Sequence, residues 1–428
     1  MAQISKVKEN GIPILFFDSR GSGYWLRLGS NRFLLLDSSN AKMHLREGGY
    51  SAEKFIGSLN EIERELWFAQ VGNSIDYAGP LAGHRCGLLV TSDGGKVLVT
   101  SEPKPDVFEV PTSKTRFPKL EKFLGELLGQ EQFTYFLAWA KCARHSLYLG
   151  DFRPGQMLVL AGPSGCGKSL LQALITEFLG GRMAKPYRYM IGETTFNAEL
   201  AAAEHLMIED EHASVDIRAR RKFGAALKDF TVNQSMSIHA KGRQAIILPT
   251  FKRISLSVND EPENLMILPP LDASILDKLT FFKCSPAEIG ADRKTTWHEL
   301  TSELPAFASY LAQWKIPRSM RCSRFGVQAF HNAELLQLVG ETSPETRLLA
   351  LLEEVVFAKR QVEWDGTAEE LERELRCSPF AFAVEKLLYF SSACGVYLAR
   401  LAHHDPQRFI CRKHNGKTLW TIKRNCSK

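Results

Sequence analysis

The stretch MLVLAGPSGCGKSLLQALITEFLGG, residues 157–181, decides the fold of this 428-residue chain. Residues 162–169 match the phosphate-binding pattern G-x-x-x-x-G-K-[ST] in full. The apolar run of residues 157–161 predicts a buried strand that enters this loop, and residues 169–179 predict an amphipathic helix that leaves it. A strand, a glycine-rich loop and a helix in this order predict an α/β nucleotide-binding core, which we expect to span residues 151–300.

The residue types of the loop suit the binding of a nucleoside triphosphate. Glycines let successive backbone N–H groups surround the phosphates without a clash from Cβ, and the helix N-terminus adds positive potential. Lys168 would supply a cation for the β- and γ-phosphates, and the Ser169 hydroxyl would ligate Mg²⁺. We therefore expect ATP and Mg²⁺ as cofactors. The expected ATP-binding residues are Gly162, Pro163, Ser164, Gly165, Cys166, Gly167, Lys168 and Ser169.

A second predicted strand, residues 205–208, delivers three acids at its carboxyl end. Asp210 would hold Mg²⁺ through water, and Glu211 would polarise the attacking water. Because Glu209 precedes them, the run allows two registers that differ by one residue. A solvated acidic turn at the end of a strand is the alternative.

A third predicted strand, residues 253–258, ends in Asn259, whose amide would hydrogen-bond the γ-phosphate or the lytic water. A turn-forming asparagine is the alternative. Before this strand, residues 237–247 predict two β-type arms around a basic tip, where Gly242 permits a tight turn. The alternative here is an ordinary solvated basic hairpin.

The loop, the closely following acidic strand and the Asn-terminated strand resemble those of superfamily 3 helicases, the AAA+-type ring motors of small DNA viruses and of viral or mobile-element primase-helicases. The resemblance covers roughly residues 119–285 and is closest to the helicase part of phage and plasmid primase-helicases. It implies an AAA+-like ATPase with Lys168, Glu211 and Asn259 as catalytic residues. It also implies a hairpin that projects its tip into a ring channel. The residues expected to contact DNA there are His239, Lys241 and Arg243.

Ring ATPases of this type usually complete each site with an arginine from the neighbouring subunit. In this sequence Lys278 lies near the position that the resemblance implies, and we assign it that role. A lysine supplies charge but lacks the planar donor fork of arginine. Arg253 and Arg293 are the alternatives.

The regions before the core predict an accessory domain and a helical segment. Residues 1–112 contain short β-type runs with turn signals such as Ser38-Ser39-Asn40 and one helical pattern over 51–70, which predicts an α+β accessory domain. The proline-studded residues 101–118 predict a linker. Residues 119–150 predict two helices with a break at Gly129, and the resemblance implies that they form an oligomerisation collar.

After a helical connector over residues 301–360, residues 361–428 predict a winged helix-turn-helix domain. Thr367 is a typical helix N-cap, and Asn415-Gly416 is a strong signal for a two-residue hairpin turn, which would form the wing. Seven Lys or Arg residues and no acids follow Asp405. This charge predicts contact with the DNA backbone, and packing or solubility is the alternative. The expected contacts are Arg412, Lys413 and Lys417.

The composition limits the class of protein. Hydrophobic residues make up 44% and charged residues 24% of the chain, which excludes a disordered or collagen-like protein. The net charge of +6 permits a polyanionic partner. Nine scattered cysteines without a C-x-x-C pair predict free thiols in a reducing, cytoplasmic environment. We see no signal peptide and no apolar run of membrane-spanning length, and we expect no membrane partner.

Together these features predict an ATP-hydrolysing DNA helicase or translocase that acts on single-stranded or forked DNA. The resemblance implies a homo-oligomeric ring, most simply a hexamer, in the replication of a virus, phage or mobile element. An ATP-dependent DNA-binding switch or defence-type regulator without strand separation is the main alternative. A small-molecule P-loop kinase is a third reading, but such an enzyme has no need for the hairpin.

Overall fold

The computed structural model describes residues 8–9, 12–29, 31–54, 59–91, 94–109, 115–209, 217–241, 244–290, 292–341, 344–359, 362–414 and 416–424. The chain divides into two compact units. The first comprises residues 1–260 and 267–332, and the second comprises residues 261–266 and 333–428. The second unit therefore begins earlier than the predicted boundary near residue 360.

The N-terminal part of the first unit is mixed α and β. Strands β3, β4, β5 and β6 form one sheet in the order β5-β4-β3-β6, and β7, β8 and β9 form another in the order β7-β9-β8. The elements are β1 Lys8–Glu9, β2 Ile12–Pro13, β3 Leu15–Asp18, β4 Gly23–Arg27, β5 Phe33–Leu36, α1 Ser38–Glu47, α2 Glu61–Gly72, β6 Ser74–Ile75, β7 Tyr77–Gly79, β8 Gly87–Val90 and β9 Lys96–Val99.

One local prediction in this part is wrong, and a second is wrong only in its first half, of which residues 55–58 lie outside the described residues. Side-chain caps explain both differences. The predicted turn Ser38-Ser39-Asn40 is the first turn of α1, because the Asp37 side chain accepts a hydrogen bond from the Asn40 backbone N–H and starts a helix. The helix predicted over 51–70 begins only at Glu61, where Asn60 and Glu63 form a capping box.

The predicted linker is packed where the structure describes it. Residues Pro105–Phe108 form a 3₁₀ turn, and Val107 is fully buried. The Lys104 backbone N–H donates to Gly180 O at the end of the phosphate-loop helix. Residues 101–109 therefore pack against the end of the helix that follows the phosphate loop.

The next element is α3 Pro118–Leu149, which is kinked at Gly129 with φ 67° and ψ 164°. The prediction of two helices with a break at this glycine is therefore confirmed. Both halves bury apolar side chains within the first unit, including Phe123 and Leu127 beside the phosphate loop and Trp139 further along.

The centre of the first unit is a parallel five-stranded sheet in the order β11-β12-β15-β10-β16. Its middle strands are buried on both faces, as is usual where helices cover both sides of a parallel sheet. The elements are β10 Met157–Ala161, α4 Lys168–Phe178, β11 Met183–Ala184, α5 Tyr187–Met190, α6 Ala198–Ala201, β12 His205–Ile208, α7 Ile217–Val232, β13 Ser235–Ile238, β14 Ile246–Pro249, β15 Arg253–Val258, α9 Ala273–Leu276, β16 Leu279–Lys283, α10 Arg293–Ser302 and α11 Leu304–Gln313. The short helix α8 Pro262–Leu265, between β15 and α9 in the sequence, belongs to the second unit.

This sheet confirms the predicted α/β core. The strand β15 lies between the loop strand β10 and the acidic strand β12. The carboxyl ends of all three strands therefore meet at one edge, where ligands of open α/β sheets bind.

The second unit combines helices with a three-stranded antiparallel sheet of order β17-β19-β18. Thr367 and Glu370 form a reciprocal capping box at the start of α14, so the predicted cap is confirmed. Gly416, in the β18–β19 turn, has φ +76°, while Asn415 lies outside the described residues. The elements are α12 Ala333–Glu341, α13 Pro344–Leu351, a π turn Leu352–Val356, a 3₁₀ turn Phe357–Lys359, β17 Glu363–Thr367, α14 Ala368–Arg376, α15 Ala381–Leu387, α16 Ala393–His404, β18 Phe409–His414 and β19 Lys417–Lys423.

Two further findings hold for the described residues. The eight cysteines found there are all free. Among the described helices, none combines the length and the apolar character needed to cross a membrane.

Candidate functional site

The phosphate-binding loop runs from β10 to α4, and close packing requires glycine in it. A Cβ on Gly162 would lie 2.3 Å from the backbone oxygen of Cys284, so no side chain fits at this position. Gly167 caps α4 with φ +117°, a conformation that L side chains rarely adopt. Residues 163–165, by contrast, are exposed. The loop is thus anchored at both ends and presents its middle outward.

Lys168 is buried, with 8% of its surface exposed, and its ammonium is held by neutral oxygens. It donates to Gly162 O at 2.6 Å, to Pro163 O at 2.8 Å and to Asn259 Oδ1 at 3.2 Å. No ion pair of Lys168 is found within the described part of the chain. A buried cation whose described oxygen partners are all neutral suits an anionic ligand, so the loop residues fit a bound triphosphate.

The contact between Lys168 and Asn259 follows from the strand order. Because β15 pairs directly with β10, the residue after β15 reaches the loop. The sequence predicted that both side chains face the same ligand, and the structure brings them within hydrogen-bond distance.

Gln172 on α4 joins the loop helix to the other two strands, and the sequence analysis missed it. Its amide donates to Ile208 O at 3.2 Å, at the carboxyl end of β12, and to Ser255 Oγ at 2.8 Å on β15. Ile208 directly precedes the acidic run. Gln172 thus fixes the position of the carboxyl end of β12 relative to the phosphate loop. Its only signal in the sequence is a polar residue on the apolar face of the helix.

A buried ring of hydrogen bonds continues from Gln172 through His205. His205 Nε2 lies 2.8 Å from Ser255 Oγ, and its Nδ1 lies 2.7 Å from Thr176 Oγ1. The Thr176 hydroxyl donates to Gln172 O, so it accepts from His205 Nδ1–H, and Ser255 donates to Nε2. Burial lowers the pKa of His205 to about 3, so the imidazole is neutral at physiological pH.

Of the acidic run, the structure describes only Glu209, which is half-buried after β12. Asp210 and Glu211 lie outside the described residues, so their roles as magnesium ligand and general base stay predictions. No cluster of three potential metal-ligating side chains is found in the described ranges.

The structure places Lys278 against its own protomer. Its side chain is buried, and its ammonium donates to Ser274 O at 2.7 Å and to the Asp277 carboxylate at 2.6 Å. An ammonium held in this way is not free to reach a neighbouring subunit. Of the two alternatives, Arg253 is fully buried over the Phe251 ring, whereas Arg293 is exposed at the start of α10.

The predicted hairpin is formed by β13 and β14, which pair antiparallel with Ile238 opposite Ile246. Lys241 at its tip is exposed. His239 is half-buried and its ring lies 5.4 Å from that of Phe196. Arg243 lies outside the described residues. The exposed lysine and the antiparallel arms agree with the predicted geometry, and DNA contact by these residues stays a prediction.

In the second unit, the predicted DNA-contacting residues Arg412, Lys413 and Lys417 are all exposed on the β18–β19 hairpin. His414 pairs with Lys417 across the hairpin. Alternation along a strand places Arg412, His414 and Lys417 on one face and Lys413 on the other. The hairpin thus presents positive charge on both faces.

Comparison of the sequence with protein-family models and with curated proteins gives no match. Solved structures do match. The apo structure of the NrS-1 C-terminal region is 17% identical with a TM-score of 0.59, and its A form is 16% identical with a TM-score of 0.57. Each match covers 96% of both chains. A further match, the SCCmec type IV Cch active helicase, has 12% identity and a TM-score of only 0.32 over 91% of this chain and 72% of that one. At 16–17% identity, these matches show a likeness of fold to the NrS-1 C-terminal region.

Proposed function

We propose that this chain is an ATP-dependent DNA helicase or translocase that works as a ring, most simply a hexamer, on single-stranded or forked DNA. The observation that carries the proposal is the contact between the Lys168 ammonium and Asn259 Oδ1 above the phosphate loop. This contact supports the proposal because a cation beside a neutral amide suits the terminal phosphate of a bound triphosphate. The replication of a virus, phage or mobile element is the proposed setting.

The proposed chemistry assigns one task to each residue. Lys168 stabilises charge on the β- and γ-phosphates, and Asn259 orients the γ-phosphate or the attacking water. Glu211 takes a proton from that water. Ser169 and Asp210 hold Mg²⁺, which when bound neutralises charge on the phosphate oxygens. Gln172 positions the acidic run through Ile208 O, because this hydrogen bond fixes the strand end that carries the acids.

For DNA, we propose that Lys241, Arg243 and His239 contact the strand in the ring channel. We also propose that residues 361–428 form a winged helix-turn-helix domain whose hairpin touches the phosphate backbone. The last helix, α16, provides few cations for contact with DNA, because its Arg400 is paired with Glu345 at 2.6 Å. Contact through Arg412, Lys413 and Lys417 would therefore be electrostatic and independent of sequence.

The alternative is an ATP-dependent DNA-binding switch or regulator without strand separation. One observation favours it. The Lys278 ammonium is bound within its own protomer, so the residue assigned to complete a neighbour's site is occupied. Under the helicase proposal this role passes to Arg293, which is exposed.

The test combines fork unwinding with ATP hydrolysis, measured with and without single-stranded DNA. Unwinding with DNA-stimulated hydrolysis is the expected result, and ATP hydrolysis with duplex binding but no unwinding would support the switch. Lys168→Ala should reduce hydrolysis by at least about a hundredfold, because it removes the cation beside the transferred phosphate. Lys42→Ala, at an exposed position on α1, is the control. Unchanged hydrolysis in Lys168→Ala would exclude the assigned site.

Ring assembly is tested separately by native mass spectrometry with ATP. A hexameric mass that the Arg293→Ala variant retains, together with loss of its hydrolysis, would support a contribution in trans. A monomer under every nucleotide and DNA condition would overturn the motor proposal.

A further inference from the structure

The β13–β14 hairpin is held from two sides. On the ATPase side, the buried Asn197 accepts a hydrogen bond from the His239 backbone N–H at 2.7 Å and donates to Ser237 O at 2.8 Å. On the other side, the N-terminal part of the unit reaches the second arm. Arg20 Nη1 donates to Ala245 O at 2.9 Å and to Gln244 O at 3.4 Å.

Arg20 stands on a turn whose conformation is strongly determined. The Asp18 carboxylate, which is fully buried, accepts from the Arg20 backbone N–H at 3.1 Å and from the Gly21 N–H at 2.8 Å. Ser22 closes the turn with a backbone hydrogen bond to Asp18 O and has φ +52°, the left-handed region. The local fold therefore holds the arginine backbone in one direction.

The N-terminal part of the unit is also fixed to the central parallel sheet by hydrogen bonds around Glu204. Glu204, fully buried before β12, accepts from the Gly83 N–H at 2.7 Å and from Arg182 Nε at 2.9 Å. Arg182 also donates to Leu81 O and Ser101 O in the N-terminal part. At the base of the hairpin, His84 Nε2 lies 2.8 Å from Pro249 O.

Between these anchors a cleft of about 840 Å³ separates the hairpin from residues 76–80. Its walls include Ile238, Ala240 and Ile246 of the hairpin side, and Arg20 lines it as well. Because the cleft separates the hairpin from residues 76–80, the hydrogen bonds of Arg20 cross it and restrain the hairpin arm next to the tip.

We propose that Arg20 is a positioning residue for the DNA-contacting hairpin, and that the N-terminal part of the chain braces this hairpin. The inference rests on the proposed function in one respect, which is that the hairpin tip binds DNA. An isolated two-stranded hairpin is marginally ordered in water. A brace lowers the conformational entropy that the tip loses when it binds a strand, and so strengthens binding without contact to DNA.

The first test measures the brace without DNA. Hydrogen–deuterium exchange over residues 235–249 should be faster in Arg20→Ala than in the wild type, and Arg20→Lys should restore part of the protection. The control Arg46→Ala, at an exposed position on α1, should leave exchange unchanged. Equal exchange in Arg20→Ala and wild type, with both folded by thermal melting, would overturn the proposal.

The second test measures the consequence for DNA. The concentration of single-stranded DNA that half-activates ATP hydrolysis should rise about tenfold in Arg20→Ala, which is the loss expected for a charge-assisted hydrogen bond. Basal hydrolysis and the maximal activated rate should stay unchanged. In a Lys241→Ala background, where DNA no longer activates hydrolysis, Arg20→Ala should leave the affinity for single-stranded DNA measured by anisotropy unchanged, since the brace acts through the tip.

The outcomes separate the brace from the proposed function. Faster exchange in Arg20→Ala, with no activation by DNA even in the wild type, would support the brace and contradict the function. A weaker response to DNA with unchanged exchange would mean that Arg20 binds DNA directly, which overturns its positioning role.

Discussion

The buried imidazole of His205 predicts that the first unit loses stability when the pH falls below neutral. The unfolded chain binds a proton at His205 with a pKa of about 6.5, whereas burial lowers the pKa in the folded protein to about 3. Between these values the unfolded state binds more protons, so the free energy of unfolding decreases as the pH falls. From pH 7.5 to pH 5 the loss from this one residue is about 2 kcal/mol.

The assay is urea unfolding of the full chain at pH 7.5, 6 and 5, followed by tryptophan fluorescence. Five of the seven tryptophans lie in the first unit, among them the buried Trp139, whose indole donates to Gln156 O, so the emission reports mainly on this unit. In His205→Gln the titrating group is absent, so we expect the loss between pH 7.5 and pH 5 to be smaller by about 2 kcal/mol. His44→Gln, at an exposed position on α1, is the matched control.

A second histidine also lowers the free energy of unfolding as the pH falls. Burial lowers the pKa of His84 as well, so the wild type and the His205 variant share that contribution and their difference isolates His205. Carboxylates whose pKa is lowered in the fold, such as Asp272, affect stability only at lower pH. If wild type and His205→Gln lost equal stability down to pH 5, the imidazole would not be held neutral, and the assigned ring of hydrogen bonds would be wrong.

Two further predictions concern DNA. Lys241→Ala should leave basal ATP hydrolysis intact and remove its stimulation by single-stranded DNA in a steady-state assay, because only the exposed tip is changed; a loss of basal activity would assign the residue a structural role. The double variant Arg412→Gln, Lys417→Gln should flatten the salt dependence of DNA affinity by about two phosphate contacts, measured by anisotropy over a salt series. An unaltered slope would assign this hairpin to packing.

The parts of the fold that the sequence predicts well have short-range causes. The sequence predicts the strand β10 at its observed bounds, because five apolar residues lead directly into a loop that matches the phosphate-binding pattern. The cap at Thr367 was predicted because its partner Glu370 is three residues away. Errors arose where a cap competed with a turn signal, as at Asp37, where the side chain starts a helix within a run that favours turns.

The supporting residues of the site could not be predicted, because their partners lie far away in the sequence. Gln172 meets Ser255 across 83 positions, and Arg20 meets Ala245 across 225. Such contacts depend on which strands become neighbours, and spacing along the chain carries no information on that. The role assigned to Lys278 has the same weakness. Its position in the sequence suits a role at a neighbour's site. In the folded protomer, however, its ammonium is hydrogen-bonded to the Asp277 carboxylate and to Ser274 O.

The strand β15 connects the edge of the core that carries the phosphate loop with the edge that carries the hairpin. Only residues 250–252 separate the hairpin arm β14 from β15, and β15 ends directly before Asn259. Six residues of strand span about 20 Å. Parallel neighbours on both sides and burial on both faces make this strand stiff. A change at Asn259 therefore acts on the same strand from which the hairpin emerges, whereas a change at Lys241 leaves that strand untouched. We therefore expect substitutions of Asn259 and of Lys241 to have different effects on the protein.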